Sequence, residues 1–173
     1  MLCGCSGKNA EIQRAVDLRM KLLNSGCTFD AEITADYGDE IFVFSTSCEA
    51  DAEGNLAFAV TKPESIAGIT GLIDQEGGKL TFDGTALAFP LLAEEQISPV
   101  SAPWIFLKTL RGGYLSAAGM EDELLRLTVD DSYEEDALKL DIWLNSEDQP
   151  VGADILYDGR RIVALAVSNF EIK

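Results

Sequence analysis

Few residues in this 173-residue chain have types and spacings that could do chemistry, and the first of them stand at its start. Leu2-Cys3-Gly4-Cys5 has the order leucine, tolerated residue, glycine, cysteine at which a bacterial lipoprotein precursor is cleaved and its cysteine thiol diacylated. On this reading Cys5 is a lipid anchor and residues 1–7 are a signal remnant and tether. Residues 8–173 then form a single domain at the extracytoplasmic face of the cell membrane. The plainer alternative is a chance Cys-Gly-Cys at a terminus. The other candidates for reactivity fail on chemical grounds. Histidine is absent, which removes His-based triads, His–metal sites and imidazole proton shuttles. Ser45, Ser47 and Ser98 have no histidine or evident lysine to activate them. With 30 Asp and Glu, pairs of carboxylates are unavoidable, so no pair marks a hydrolase.

Two acidic stretches and one glycine run face the same test. Asp130-Asp131-Ser132-Tyr133-Glu134-Glu135-Asp136 offers hard oxygens to a calcium ion, but reads more simply as a solvated loop between strands. Asp51-Ala52-Glu53-Gly54-Asn55 lacks the length and closing glutamate of an EF-hand loop. Gly68, Gly71, Gly77 and Gly78 are not followed by the Gly-Lys-Ser/Thr of a phosphate loop. No catalytic residue, metal site or cofactor is expected, and the chain is not expected to be an enzyme. A net charge of −17 argues against nucleic acid as a partner and against electrostatic docking of the chain on anionic lipid. No apolar run approaches the length that spans a bilayer.

The elements around these residues follow from hydrophobic periodicity. Asn9 precedes a helix over residues 10–24 whose stripe Ile12, Val16, Met20 and Leu23 is expected to lie on a sheet. Alternation then predicts strands over 27–35, 40–48, 56–61, 66–74, 79–82, 85–89, 125–129, 138–144 and a closing hairpin at Asp158-Gly159. That hairpin sets Ile155 opposite Ile162, and its last strand, 162–167, is apolar on both faces, so a cover is expected over its second side. Ser98-Pro99 opens a central helix with Trp104, Leu107 and Leu110, ended by Gly112-Gly113. About ten antiparallel strands with one leading and one central helix make an α+β architecture: a curved antiparallel sheet covered by the two helices.

The turn between the first two strands carries a specific expectation. A two-residue loop at Tyr37-Gly38 pairs residues whose numbers sum to 75. Ile33 then faces Phe42, Ala31 faces Phe44, and Cys27 faces Cys48. A disulfide there would stabilise by roughly 3 kcal/mol and suit an extracytoplasmic protein. Two buried free thiols are the alternative.

With these elements in place the chain resembles the LolA/LolB-like lipoprotein carrier superfamily and its relatives among clostridial-type lipoproteins of Gram-positive bacteria. The residues that carry the resemblance are Phe58-Ala59-Val60-Thr61-Lys62-Pro63-Glu64-Ser65-Ile66-Ala67-Gly68, Leu80-Thr81-Phe82-Asp83-Gly84, Ile97-Ser98-Pro99-Val100 and Val167-Ser168-Asn169-Phe170. The resemblance implies an unclosed half-barrel whose concave apolar face is lidded by helices and holds a lipid, lipopeptide or other hydrophobic ligand. The inward candidates for such a cavity are Ile33, Phe42, Phe44, Phe58 and Phe82. Phe89, Trp104, Leu107, Leu140 and Ile142 complete the set, with the Trp104 helix as the lid. An ordinary filled core would use the same positions. Two functions are therefore expected: an anchored binder of a hydrophobic ligand, or an anchored scaffold with a filled core that binds or regulates an envelope protein.

Overall fold

Alternation of buried and more exposed side chains marks strands such as Cys27–Asp36 and Leu124–Asp130 of the structure, a computed structural model that describes residues 6–89, 92–93, 96–134 and 137–173. The side chains of residues 6–8, 89, 92, 93 and 96 lie outside that description, as do Cys5, Glu135 and Asp136. The strands are β1 (Cys27–Asp36), β2 (Ile41–Ala50), β3 (Leu56–Lys62), β4 (Thr70–Ile73), β5 (Gly78–Phe82) and β6 (Thr85–Phe89). After the short pair β7 (Leu92–Ala93) and β8 (Gln96–Ile97) come β9 (Tyr114–Glu121), β10 (Leu124–Asp130), β11 (Lys139–Leu144), β12 (Pro150–Tyr157) and β13 (Arg160–Ile172). Helix α1 spans Ser6–Asn24, and α2 spans Ala102–Gly112 behind a 3₁₀ turn at Pro99–Ser101.

Eleven strands form one antiparallel sheet in the order β6-β5-β4-β3-β2-β1-β13-β12-β11-β10-β9. Its two edges do not meet, so the sheet is a half-barrel of the α+β kind that the sequence led us to expect. Long β13 closes the chain against β1 and joins the two meanders into one layer. Cys27, Phe29, Ala31, Ile33 and Ala35 point from β1 to the helix side, while Thr28, Asp30, Glu32 and Thr34 face outward.

Helix α2 occupies the concave side. Ala102, Pro103, Trp104, Ile105, Phe106, Leu107, Thr109 and Leu110 are all buried, so most of the helix surface is covered, with Lys108 exposed. Phe106 meets Phe29 of β1 edge to face at 5.8 Å, and Phe29 stacks on Phe170 of β13. Gly113 ends the helix where a Cβ would come within 2.6 Å of Val129 and 2.8 Å of two carbonyl oxygens, so only glycine fits this close approach.

Four sequence expectations are corrected. The β1–β2 loop is Gly38-Asp39, closed by Tyr37 N–H to Glu40 C=O at 3.0 Å, not Tyr37-Gly38. Paired residue numbers therefore sum to 77, which sets Ile33 against Phe44 and Phe29 against Cys48. A two-residue shift keeps every side chain on its face, which is why the pattern survived the wrong register. On α1 the buried residues are Ala15, Leu18 and Leu22, while Ile12, Val16, Met20 and Leu23 face solvent. At the last hairpin a bulge between Ile155 and Leu156 opposes Ile155 to Val163 rather than Ile162. The outward side of that last strand carries the small Ala164 and Ala166, with Ala166 exposed, so no cover is needed.

The burial of Phe106 yields a stability test. Truncating this wholly buried ring (Phe106→Ala) leaves a cavity between α2 and β1 and is expected to cost about 3–5 kcal/mol. Urea unfolding followed by far-ultraviolet circular dichroism measures it.

Candidate functional site

The expected cavity residues divide sharply. Ile33, Phe44, Phe58, Trp104, Leu107, Leu140 and Ile142 belong to one contiguous buried core, and each is no more than 5 % exposed. A void large enough for water would leave accessible surface on its walls, so these side chains fill the concavity. Phe42 and Phe82 face the same side but lie beyond the reach of α2, at 43 % and 50 % exposure. The side chain of Phe89 lies outside the described residues, although its backbone pairs with Gly78 on that end of the sheet.

Trp104 is a latch rather than a lid. Its indole Nε1–H donates to the Gly54 carbonyl at 3.1 Å, and Arg111, two turns on, donates to the carbonyls of Asp51 and Ala52. Asp51 ties the same turn from within by accepting from the Gly54 and Asn55 N–H groups and from Asn55 Nδ2, all at 2.8–2.9 Å. Burial disfavours the Asp51 anion, but these hydrogen bonds outweigh it and hold the carboxyl below its ordinary pKa. The turn between β2 and β3 is thus a structural fastening, not a cation loop.

The other polar clusters are largely paired within the fold, although Arg126 Nε is buried without a partner. Asp141 accepts from Arg126 and from Thr128, both at 2.7 Å. Glu121 accepts from the Trp143 indole at 2.9 Å, and the Arg126 guanidinium lies 5.8 Å from that ring's centre. Asp154, the cross-strand neighbour of Asp141, pairs with Arg161 at 3.3 Å. In the acidic loop Asp131 accepts from the Leu138 N–H at 2.8 Å, which closes the loop. No cluster of three or more potential metal ligands occurs among the described residues.

Cys27 and Cys48 are free thiols in the structure, and the corrected register explains why. Cys27 pairs with Ala50 and Cys48 with Phe29, so the two are diagonal neighbours. Diagonal Cα atoms stand about 7–8 Å apart, beyond the roughly 4.4–6.8 Å that a disulfide usually spans. Burial pushes the Cys27 thiol up to about 11 and the Cys48 thiol up to about 12.

A groove lies where no sequence pattern pointed, on the outward face of the sheet. It measures about 750 Å³ and runs across β13, β1, β2, β3, β4 and β5. Ala57, Ala59 and Leu72 form an apolar floor, and Leu72 is 61 % exposed. Asp30, Glu49 and Glu171 stand on one side and Lys79 on the other. Only the small outward residues of β3 hint at it, and small residues on a strand do not by themselves signal a groove.

Comparison with known proteins bears on the fold alone. No family model and no curated protein matches the sequence. Among solved structures the chain is similar to an uncharacterized conserved protein from Thermus thermophilus, with a TM-score of 0.51 and 14% identity over 94% of this chain and 87% of that one. It is also similar to the LolA superfamily protein NE2245 from Nitrosomonas europaea, with a TM-score of 0.48 and 9% identity over 92% and 93%. A third likeness is to the structure of the CwlD amidase from Clostridioides difficile in complex with the GerS lipoprotein, with a TM-score of 0.49 and 14% identity over 100% of each chain. At these identities the likeness is one of fold.

The thiols supply a direct check. At pH 8 native Cys3→Ser/Cys5→Ser protein is expected to leave Ellman's reagent essentially unreacted, whereas urea-unfolded protein titrates two thiols. Intact mass is expected not to change on reduction; a gain of two hydrogens would establish a disulfide.

Proposed function

We propose that the protein is a non-catalytic, lipid-anchored extracytoplasmic LolA-like protein whose half-barrel serves as a scaffold for binding an envelope protein. The observation that carries this reading is the filled concavity. The residues that would line a ligand chamber are instead buried together in one core that includes α2, which argues against room there for an acyl chain. Binding capacity is displaced to the outward face, where the groove joins an apolar floor to the carboxylates Asp30, Glu49 and Glu171. A partner presenting a basic, partly apolar segment has the complementary chemistry, and the net charge of −17 favours the encounter. The anchor at Cys5 holds the scaffold at the membrane, and no helix among the described residues is long and apolar enough to cross it.

One observation supports a second reading. Phe42, Phe82 and Leu87 expose apolar surface on the concave side beyond α2, at the two ends of the β2–β6 half of the sheet. Those rims would take the end of a hydrophobic ligand without opening the core.

Native mass spectrometry of soluble Cys5→Ser protein, purified from its host, separates the two. The scaffold reading expects the bare polypeptide mass. A stoichiometric lipid mass that survives purification and disappears in Phe82→Ser would establish ligand binding instead.

A further inference from the structure

Resting on the anchor at Cys5, we propose that α1 lies along the outer surface of the membrane with one face in the headgroup–acyl boundary, and so fixes the orientation of the half-barrel. At 100° per residue Ile12, Val16, Met20 and Leu23 fall within an arc of about 80°. These four side chains are 43, 41, 55 and 50 % exposed, the longest apolar stripe on a described helix surface that the fold leaves uncovered.

The helix cannot roll to bury that stripe. Ala15, Leu18 and Leu22 are buried on the opposite flank. Arg14 binds Asp148 at 2.6 Å and the Asn145 carbonyl at 3.0 Å, and Arg19 Nε donates to the Leu110 carbonyl at 2.8 Å. These contacts tie α1 to the β11–β12 turn and to the end of α2, so the stripe is presented rigidly.

Two features select a bilayer as the occupant. First, α1 begins at Ser6, with no residue between it and the lipid-bearing Cys5. Acyl chains inserted there bring the start of the helix to headgroup level, leaving the stripe only the choice of lying on lipid or standing away from it. Second, the helix carries Lys8, Arg14, Arg19 and Lys21 against Glu11 and Asp17, a local charge of +2 in a chain of −17. An exposed apolar stripe on a basic helix is the composition of interfacial helices. The rest of the chain is repelled by anionic headgroups, which turns the remaining surface outward. With α1 lying flat, the body held by Ala15, Leu18 and Leu22 stands over the membrane in a single pose.

The test uses the absence of histidine. Cys3→Ser/Cys5→Ser protein with an amino-terminal hexahistidine is tethered to phosphatidylcholine–phosphatidylglycerol vesicles containing a nickel-chelating lipid. An environment-sensitive fluorophore is placed at Met20→Cys or, on the outward face of β1, at Glu32→Cys. Brominated lipid is expected to quench the label at 20 by about twofold or more and to leave the label at 32 unchanged. Ile12→Asp/Val16→Asp, both at exposed positions, is expected to abolish that quenching without loss of helix content. Equal quenching at both positions, or none at 20, overturns the proposal. A label at 20 already buried in lipid-free protein, together with a doubled mass, overturns it in favour of a second copy of this chain. The anchor is tested separately by intact mass of the native protein extracted from its membrane. Absence of a diacylglyceryl group there refutes the Cys5 reading, whatever the vesicles show.

Discussion

The packing of α2 into the concave face of the sheet is the contact on which the other features depend. A half-barrel of eleven strands presents one continuous apolar surface, and exposing it to water would carry a penalty of about 25 cal/mol for each Å². In this chain an interior helix covers it. Phe106 closes on Phe29, and Leu107 and Leu110 lie among Ile33, Leu140 and Ile142 in one contiguous core. Once that space is filled by side chains of the protein itself, the fold can no longer admit a guest by the route its architecture suggests. Trp104 and Arg111 extend the same interaction to the β2–β3 turn, which couples the helix to the rim of the sheet.

The surfaces left uncommitted by the packing lie on the outside. The structure offers an apolar groove edged by carboxylates on the outward face and an apolar stripe on α1. These lie on different sides of the molecule. The stripe belongs to the helix layer, and the groove to the sheet surface turned away from it. On the proposed reading this separation leaves one surface for the membrane and another for a partner. The chain as a whole is strongly acidic, whereas α1 carries a local charge of +2.

Much of the fold was legible because alternation survives errors of detail. Leu80 and Leu87 share a face through the Asp83-Gly84 turn as expected, with positive φ at both turn residues. Strand β9 was missed because Tyr114 to Glu121 is rich in Ser, Ala and Gly, and its turn, Asp122-Glu123, adopts left-handed backbone without a glycine to announce it. The cysteine pairing failed on one residue. Gly38, at φ +91°, opens the loop instead of closing it, and Asp36 accepts its N–H. On α1 two apolar stripes compete. The bulkier one looked like the core face, but the stripe containing small Ala15 is the one that packs inward. For the candidate site, the inward face of residues such as Ile33 and Ile142 was readable, but whether they line a space or fill one depends on how closely α2 approaches. No local pattern encodes that distance.

The filled concavity is most directly tested by methyl-resolved NMR on Ile-, Leu- and Val-labelled protein titrated with a lysophospholipid below its micelle concentration. The packed interior predicts that the methyl signals of Ile33, Leu107, Leu140 and Ile142 keep their positions while those of Ile12, Val16 and Leu23 move. Saturable shifts of the four interior methyls, with those of α1 unmoved, would contradict it and return the half-barrel to the role of a ligand chamber.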